Sequence, residues 1–188
     1  MLMSAPTEKR PRVNVRRPDV MELVSAEVAV HYQSSLVEKI KDMGGKITRG
    51  DTTLLLAKDF GFCYGVERAI DLAYASRKVF PENRIFLIGE IIHNPEVNRQ
   101  LREMDIVSLP WKEIDGTYDD LQPEDVVIVP AFGAPRGVKG KIEERGCDTV
   151  DATCGDVMEV WRRVRGSAKD GNPSIIHGKA DHEETRAT

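Results

Sequence analysis

Cys63 and Cys154 stand at equivalent points of an internal repeat, and this repeat limits the possible folds more than any other feature of the chain. In the first copy an apolar run, Leu54-Leu55-Leu56-Ala57, leads through Gly61-Phe62 to Cys63, and a helix-patterned segment opens at Gly65-Val66-Glu67-Arg68-Ala69-Ile70. In the second, Thr149-Val150-Asp151-Ala152-Thr153 leads to Cys154, and a helical pattern opens at Gly155-Asp156-Val157. Each cysteine is followed by a histidine in a matching place: His93 after Ile85-Phe86-Leu87-Ile88, and His182 after Ser174-Ile175-Ile176. The Cys-to-His spacings are 30 and 28 residues, and the copies are offset by 91 and 89. Such a register predicts two related α/β units that turn Cys and His toward one centre.

Between the repeats, short apolar runs alternate with amphipathic segments. Strands are predicted at 54–57, 84–89, 105–109, 126–130, 148–152 and 174–177, and helices at 65–79, 95–104, 136–145 and 155–166. That alternation implies an α/β fold of parallel sheet covered by helices. Upstream, Val24, Val28, Tyr32, Leu36, Ile40 and Met43 step by four and then three, which predicts one helix over 20–43, stopped at Gly44-Gly45. The chain thus divides into an N-terminal extension with one helix (1–50), a first α/β unit (51–147) with Cys63 and His93, and a partial second unit (148–188) with Cys154 and His182. Residues 111–124 read as a surface connection.

Composition narrows the function. No apolar stretch approaches the roughly 18 residues of a membrane span, and no signal-peptide core follows Met1, so the expectation is cytoplasmic with no membrane partner. Three widely spaced cysteines argue against a disulfide framework. A net charge of −4 disfavours nucleic acid. The basic stretch Lys9, Arg10, Arg12, Arg16 and Arg17 reads as a solvated tail.

In parallel α/β folds, ligands bind outside the carboxyl ends of the strands, and Cys63, His93, Cys154 and His182 all fall just past predicted strand ends. A thiolate before a helix start is favoured by the macrodipole, and thiolates are ligands for iron–sulfur clusters and zinc. The plainer alternative is a small buried hydrophobe at each position. Cys147 lies seven residues before Cys154 at the far end of a strand, roughly 20 Å away at about 3.3 Å per residue, and reads as structural. His93 precedes Asn94-Pro95-Glu96, a strong helix-start signature that suits an anion. His182-Glu183-Glu184 has the same setting and adds carboxylates able to deliver a proton. His31 and His177 carry no role from spacing.

Four stretches carry a family resemblance: Gly61-Phe62-Cys63-Tyr64-Gly65-Val66-Glu67-Arg68-Ala69-Ile70, Ile92-His93-Asn94-Pro95, Asp151-Ala152-Thr153-Cys154 and Ile176-His177-Gly178-Lys179-Ala180-Asp181-His182-Glu183-Glu184-Thr185. Together, and over about 54–188, they resemble the 4-hydroxy-3-methylbut-2-enyl diphosphate reductases, iron–sulfur enzymes of the last step of the non-mevalonate isoprenoid pathway. The resemblance implies three similar α/β units around a 4Fe-4S cluster, of which this chain supplies two, the second partial. It implies Cys63 and Cys154 as two of three cysteine ligands, His93 and His182 on the substrate diphosphate, and Glu184 in proton delivery. It also implies a small allylic diphosphate substrate and a ferredoxin or flavodoxin as electron donor. Where many members carry a histidine, this chain reads Ala131-Phe132-Gly133, and phenylalanine offers a phosphate no hydrogen bond.

The third cysteine is expected beyond Thr188, so the chain reads as C-terminally incomplete and is not expected to hold a stable cluster by itself. Two other readings stand beside the reductase: a Cys2His2 zinc site built from Cys63, Cys154, His93 and His182, and an inactive remnant that binds a partner.

Overall fold

A computed structural model describes residues 13–112 and 118–188. Lys9, Arg10 and Arg12 of the basic stretch, and the middle of the 111–124 connection, lie outside the described residues. The core is a four-stranded parallel sheet in the order β4-β3-β5-β6, formed by β3 (Ile85–Ile88), β4 (Ile106–Leu109), β5 (Val126–Val129) and β6 (Asp148–Asp151). These are four of the six strands predicted from the apolar runs. The reading of an α/β fold with parallel sheet covered by helices therefore holds.

The sheet is covered on both faces because its strands are apolar at successive positions, as a doubly buried strand requires. β5 shows this most fully, with all of Val126, Val127, Ile128 and Val129 buried. Ile85, Leu87, Val126 and Ile128 meet α3 (Tyr64–Val79) and α4 (Pro95–Glu103) through Ala69, Ala73, Val97 and Leu101. The alternate residues Ile88, Val127 and Val129 meet α5 (Arg136–Arg145) through Val138 and Ile142, with Tyr118 and Leu121 closing the edge. The boundary at 147/148 falls between β5 and β6, which are hydrogen-bonded neighbours, so the two sequence units contribute to one sheet. Cys147 sits at the start of β6, buried, its thiol donating to the Gln122 carbonyl at 3.3 Å.

Three expectations are corrected. The single helix over 20–43 is two helices, α1 (Pro18–Tyr32) and α2 (Ser35–Asp42). Gln33 and Ser34 are both extended, and the Ser34 hydroxyl caps α2 by accepting from Val37 N at 3.4 Å. A serine that caps a new helix competes with continuation of the old one. The run Leu54-Leu55-Leu56-Ala57 is no core strand. Part of it forms β2 (Thr52–Leu55), which pairs antiparallel with β1 (Lys46–Arg49) in a separate hairpin, and all four β2 residues are exposed. The turn at Gly50, with φ +57, is the signal that the apolar count hid. Residues 174–177 form no strand: among the described residues they have no neighbouring strand, and Ile175 is 97% exposed. After α6 (Gly155–Lys169) the chain is irregular until the short α7 (Glu183–Ala187).

Two polar devices tie the layers together. α1 lies on α3 through Val20 and Val24, and His31 Nδ1 is 2.6 Å from the Tyr74 hydroxyl, which gives His31 a structural role. Arg77, near the end of α3, donates to the carbonyls of Phe80, Pro81, Asn83, Met104 and Asp105, binding two loops at the amino ends of β3 and β4.

Ile128→Ala, at the centre of the sheet, is expected to destabilise the chain by about 2–5 kcal/mol. Val107→Ala, on edge strand β4 and 53% exposed, is expected to change stability by no more than about 0.5 kcal/mol. Urea unfolding of both variants checks the ranking; equal losses would contradict the placement of β5 at the core.

Candidate functional site: a histidine pair and a thiol pair at the carboxyl edge of the sheet

From β3 the chain passes through α4 to β4 on one side, then returns to β5 on the other side of β3. The strand order reverses there, and a crevice opens outside the carboxyl ends of β3 and β5. The turns after β3, β5 and β6 carry His93, Phe132 and Cys154 to that edge.

His93 is presented by a fixed turn. Buried Asn98 of α4 donates from Nδ2 to the Ile92 carbonyl at 2.8 Å and accepts from Ile91 N at 3.3 Å. Asn94 caps α4, accepting from Glu96 N at 3.0 Å and Val97 N at 3.2 Å. His182 arrives from the other end of the chain, as the cap of α7, with its Nδ1 accepting from Glu184 N at 3.2 Å. The two imidazoles meet with their Nε2 atoms 3.2 Å apart. Phe132 forms the floor: its ring stacks on His93 with centroids 4.5 Å apart and meets His182 edge-on at 5.5 Å. It orients the rings by contact where a histidine would add a donor.

Two carboxylates complete this cluster: Glu183, one of the pair noted after His182, and Glu90, which the sequence does not single out. Glu90 Oε2 is 3.0 Å from His93 Nδ1, and Glu183 Oε2 is 3.5 Å from His93 Nε2. Glu184 touches the cluster through its backbone N–H, while its carboxylate does not join the group of ligand atoms formed by His93, His182 and Glu183. Adjacent helical residues point about 100° apart, so only one of Glu183 and Glu184 can face the histidines.

The cysteines form a second pair. Cys63 is the N-cap residue of α3 and is exposed; Cys154 is the N-cap residue of α6 and is half-buried. Both thiol sulfurs converge on Gly65: a Cβ placed there would lie 2.4 Å from Cys154 Sγ and 4.0 Å from Cys63 Sγ. Both sulfurs therefore lie within 4.0 Å of one point, from helices that begin 91 residues apart. Arg68 locks the approach, donating from Nη1 to the Thr153 carbonyl at 3.2 Å and from Nη2 to that of Asp151 at 3.4 Å. Tyr64 reaches across from α3 to the start of α6, where its hydrogen bond to the Asp156 carboxylate pushes its phenol up to about 12, with Cys154 a further partner. Among the described residues neither cysteine joins the histidine cluster, so the Cys2His2 zinc arrangement is not formed.

The Cys154 turn is held from below by Asp151, which accepts from Thr153 N at 3.0 Å and pairs with Lys139 at 3.1 Å. Burial pushes the Asp151 carboxyl up, but the Thr153 hydroxyl and N–H and the Lys139 ammonium outweigh it and hold it below the usual carboxylate range. On the far side, Gly133 (φ +80) leaves room for Trp161, whose ring a Cβ would meet at 2.4 Å. Trp161 Nε1 in turn donates to Thr188 Oγ1 at 3.2 Å, fastening α7 to α6.

Two outcomes follow from this geometry. Alanine at a helical glycine ordinarily stabilises by up to about 1 kcal/mol. Gly65→Ala is instead expected to displace Cys154 Sγ and to weaken thiolate binding of cobalt(II) about tenfold or more, read from sulfur-to-cobalt absorption. An unaltered titration would show that the two sulfurs do not act together. The stability contributed by the Asp151 carboxylate is present above the unfolded aspartate value of about 3.9 and is lost as pH falls through its lower folded value. Asp151→Asn should accordingly flatten the acid limb of unfolding free energy below the unfolded aspartate value of about 3.9; an unchanged limb would contradict the assignment.

A profile of the family described as LytB protein matches residues 54–188. The 4-hydroxy-3-methylbut-2-enyl diphosphate reductase of Nostoc sp. (strain PCC 7120) is 46% identical over 165 residues, covering 88% of this chain and 41% of the relative. That of Synechococcus sp. (strain WH7803) is 45% identical over 177 residues, covering 94% of this chain and 44% of the relative. A solved reductase from Plasmodium falciparum superposes with a TM-score of 0.61 at 26% identity, over 68% of this chain and 38% of that one. A second solved structure, the terminal enzyme of the non-mevalonate pathway, gives 0.58 at 27% identity, over 70% and 44%. The chain spans less than half the length of these relatives. With its profile matched across both the thiol pair and the histidine pair, the chain belongs to the LytB protein family.

Proposed function

We propose that this chain forms part of a cytoplasmic reductase that removes the allylic hydroxyl of 4-hydroxy-3-methylbut-2-enyl diphosphate, giving isopentenyl and dimethylallyl diphosphates. The observation that carries the reading is the convergence of Cys63 Sγ and Cys154 Sγ on the space left by Gly65, beside a separate pair of imidazoles. Two thiolates from two helix starts, in a cradle that a single Cβ would fill, fit a 4Fe-4S cluster. The third cysteine would lie beyond Thr188, in the length of the relatives that this chain does not span. When bound, the cluster supplies electrons and a Lewis-acidic iron for the allylic oxygen, with a ferredoxin or flavodoxin as donor.

The chain's own residues then bind, aim and protonate. His182 accepts at Nδ1, so its remaining proton sits on Nε2, directed at the crevice. His93 keeps Nδ1–H on Glu90 and, when doubly protonated, donates from Nε2 as well. A diphosphate oxygen entering between the two Nε2 atoms would take both donors, with Glu183 turned aside. Phe132 excludes water beneath the rings. Glu184 is the proton donor: removal of the hydroxyl takes two electrons and two protons, one leaving with the oxygen as water and one adding to the allyl carbon. Glu184 is held next to His182 by its backbone N–H, which donates to His182 Nδ1.

The test is anaerobic reconstitution with iron and sulfide of the protein expressed through the reading frame beyond Thr188. Expected is broad brown absorption, lost in Cys63→Ser and in Cys154→Ser, with substrate-dependent oxidation of a reduced viologen. Glu184→Gln should lower kcat by about 10²–10⁴ with KM little changed. His93→Ala and His182→Ala should instead raise KM. Absorption that survives both cysteine substitutions would overturn the proposal.

A further inference from the structure

The histidine cluster has a second chemistry, independent of the reductase reading. Tetrahedral zinc with bonds of about 2.0–2.1 Å sets neighbouring ligand atoms about 3.3 Å apart. His93 Nε2 stands 3.2 Å from His182 Nε2 and 3.5 Å from Glu183 Oε2, and all three atoms lie within 4.8 Å of one another. We propose that His93, His182 and Glu183 form a binding site for a divalent zinc-class cation, with three protein ligands and an open fourth position.

Three features beyond the spacing support it. Glu90 Oε2 accepts from His93 Nδ1 at 3.0 Å, so the Nε2 lone pair of a neutral His93 faces the centre of the cluster. A carboxylate behind a histidine is the usual outer support of a zinc ligand, fixing its tautomer and ring orientation. Phe132 stacks on His93, and this apolar floor holds the ring without competing for the ion. The donor set, two imidazoles and one carboxylate, is a common one for zinc sites that keep a position open. One bond opposes it: His182 Nδ1 accepts from Glu184 N, so binding through Nε2 moves the His182 proton to Nδ1 and gives up that cap. The open fourth position and the 47% exposure of His93 leave the ion reachable from solvent.

The site also differs in kind from the thiol pair. Cys63 and Cys154 would bind the same metals, so the experiment removes them first. In the Cys63→Ser/Cys154→Ser double variant, cobalt(II) titration is expected to show one equivalent bound, with visible bands of tetrahedral intensity and no sulfur-to-cobalt absorption. Adding His93→Ala or His182→Ala to that background should weaken binding by about tenfold or more, and Glu90→Gln by about tenfold through His93 alone. Far-ultraviolet circular dichroism confirms that each variant is folded. Cobalt affinity that is the same with and without His93 and His182 overturns the site. Zinc displacing the bound cobalt with loss of the visible bands supports it. Neither result depends on iron, sulfide or reductase activity.

Discussion

The rest of the structure depends on the burial of β5. Val126, Val127, Ile128 and Val129 are excluded from water on both faces, and the strand pairs with β3 on one side and β6 on the other. Because all four core strands are parallel, their carboxyl ends finish along one edge. Because the chain crosses from β4 back to β5, a crevice lies where the order reverses. The turns bearing His93, Phe132 and Cys154 are the continuations of these strands. Their positions are inherited from the hydrophobic core, and disturbing β5 would move all three together.

The histidine pair and the thiol pair are built differently. The histidine pair is a polar network, in which Asn98, Glu90 and the N–H of Glu184 determine where each ring nitrogen points. The thiol pair depends on an omitted side chain. Gly65 lets α3 and α6 bring their N-cap cysteines together, and Arg68 and Tyr64 cross from one helix to the turn of the other. Tyr64 and Arg68 fall on either side of the glycine within about one helical turn, so a single stretch of α3 supplies the cradle and both of its ties. Separation of the pairs removes the Cys2His2 zinc arrangement, since among the described residues no cysteine joins the histidine cluster.

Much of this is legible in the residues themselves. The cysteine–histidine repeat, the apolar runs of β3, β4, β5 and β6, the cap Asn94 and the helix starts after Cys63 and Cys154 follow from spacing and residue type. Local composition misleads elsewhere. Leu54-Leu55-Leu56 looks like a core strand, but the turn at Gly50 folds it onto Lys46–Arg49 as an exposed hairpin. Ile175-Ile176 has the residues of a strand and, among the described residues, no neighbour to pair with. The stripe from Val24 to Met43 is truly periodic, yet Ser34 interrupts it by capping a second helix. Glu90 and Glu183 carry weak signals: Glu90 lies three residues before His93 and Glu183 directly follows His182. Exposed glutamates are common enough that proximity in sequence alone does not select them.

The sequence alone determined the class of the fold and its chemical inventory. Hydrophobic periodicity, helix caps and paired Cys–His positions are short-range properties, written in a few neighbouring residues. Only the tertiary structure decided which residues of that inventory meet. It joined His93 to His182 across 89 positions, put Glu183 and not Glu184 against them, and left both cysteines with Gly65. The positions of His93 and Cys154 come from strand order, and that of His182 from the tie of α7 to α6 through Trp161 and Thr188. Both are long-range contacts, to which spacing along the chain is blind.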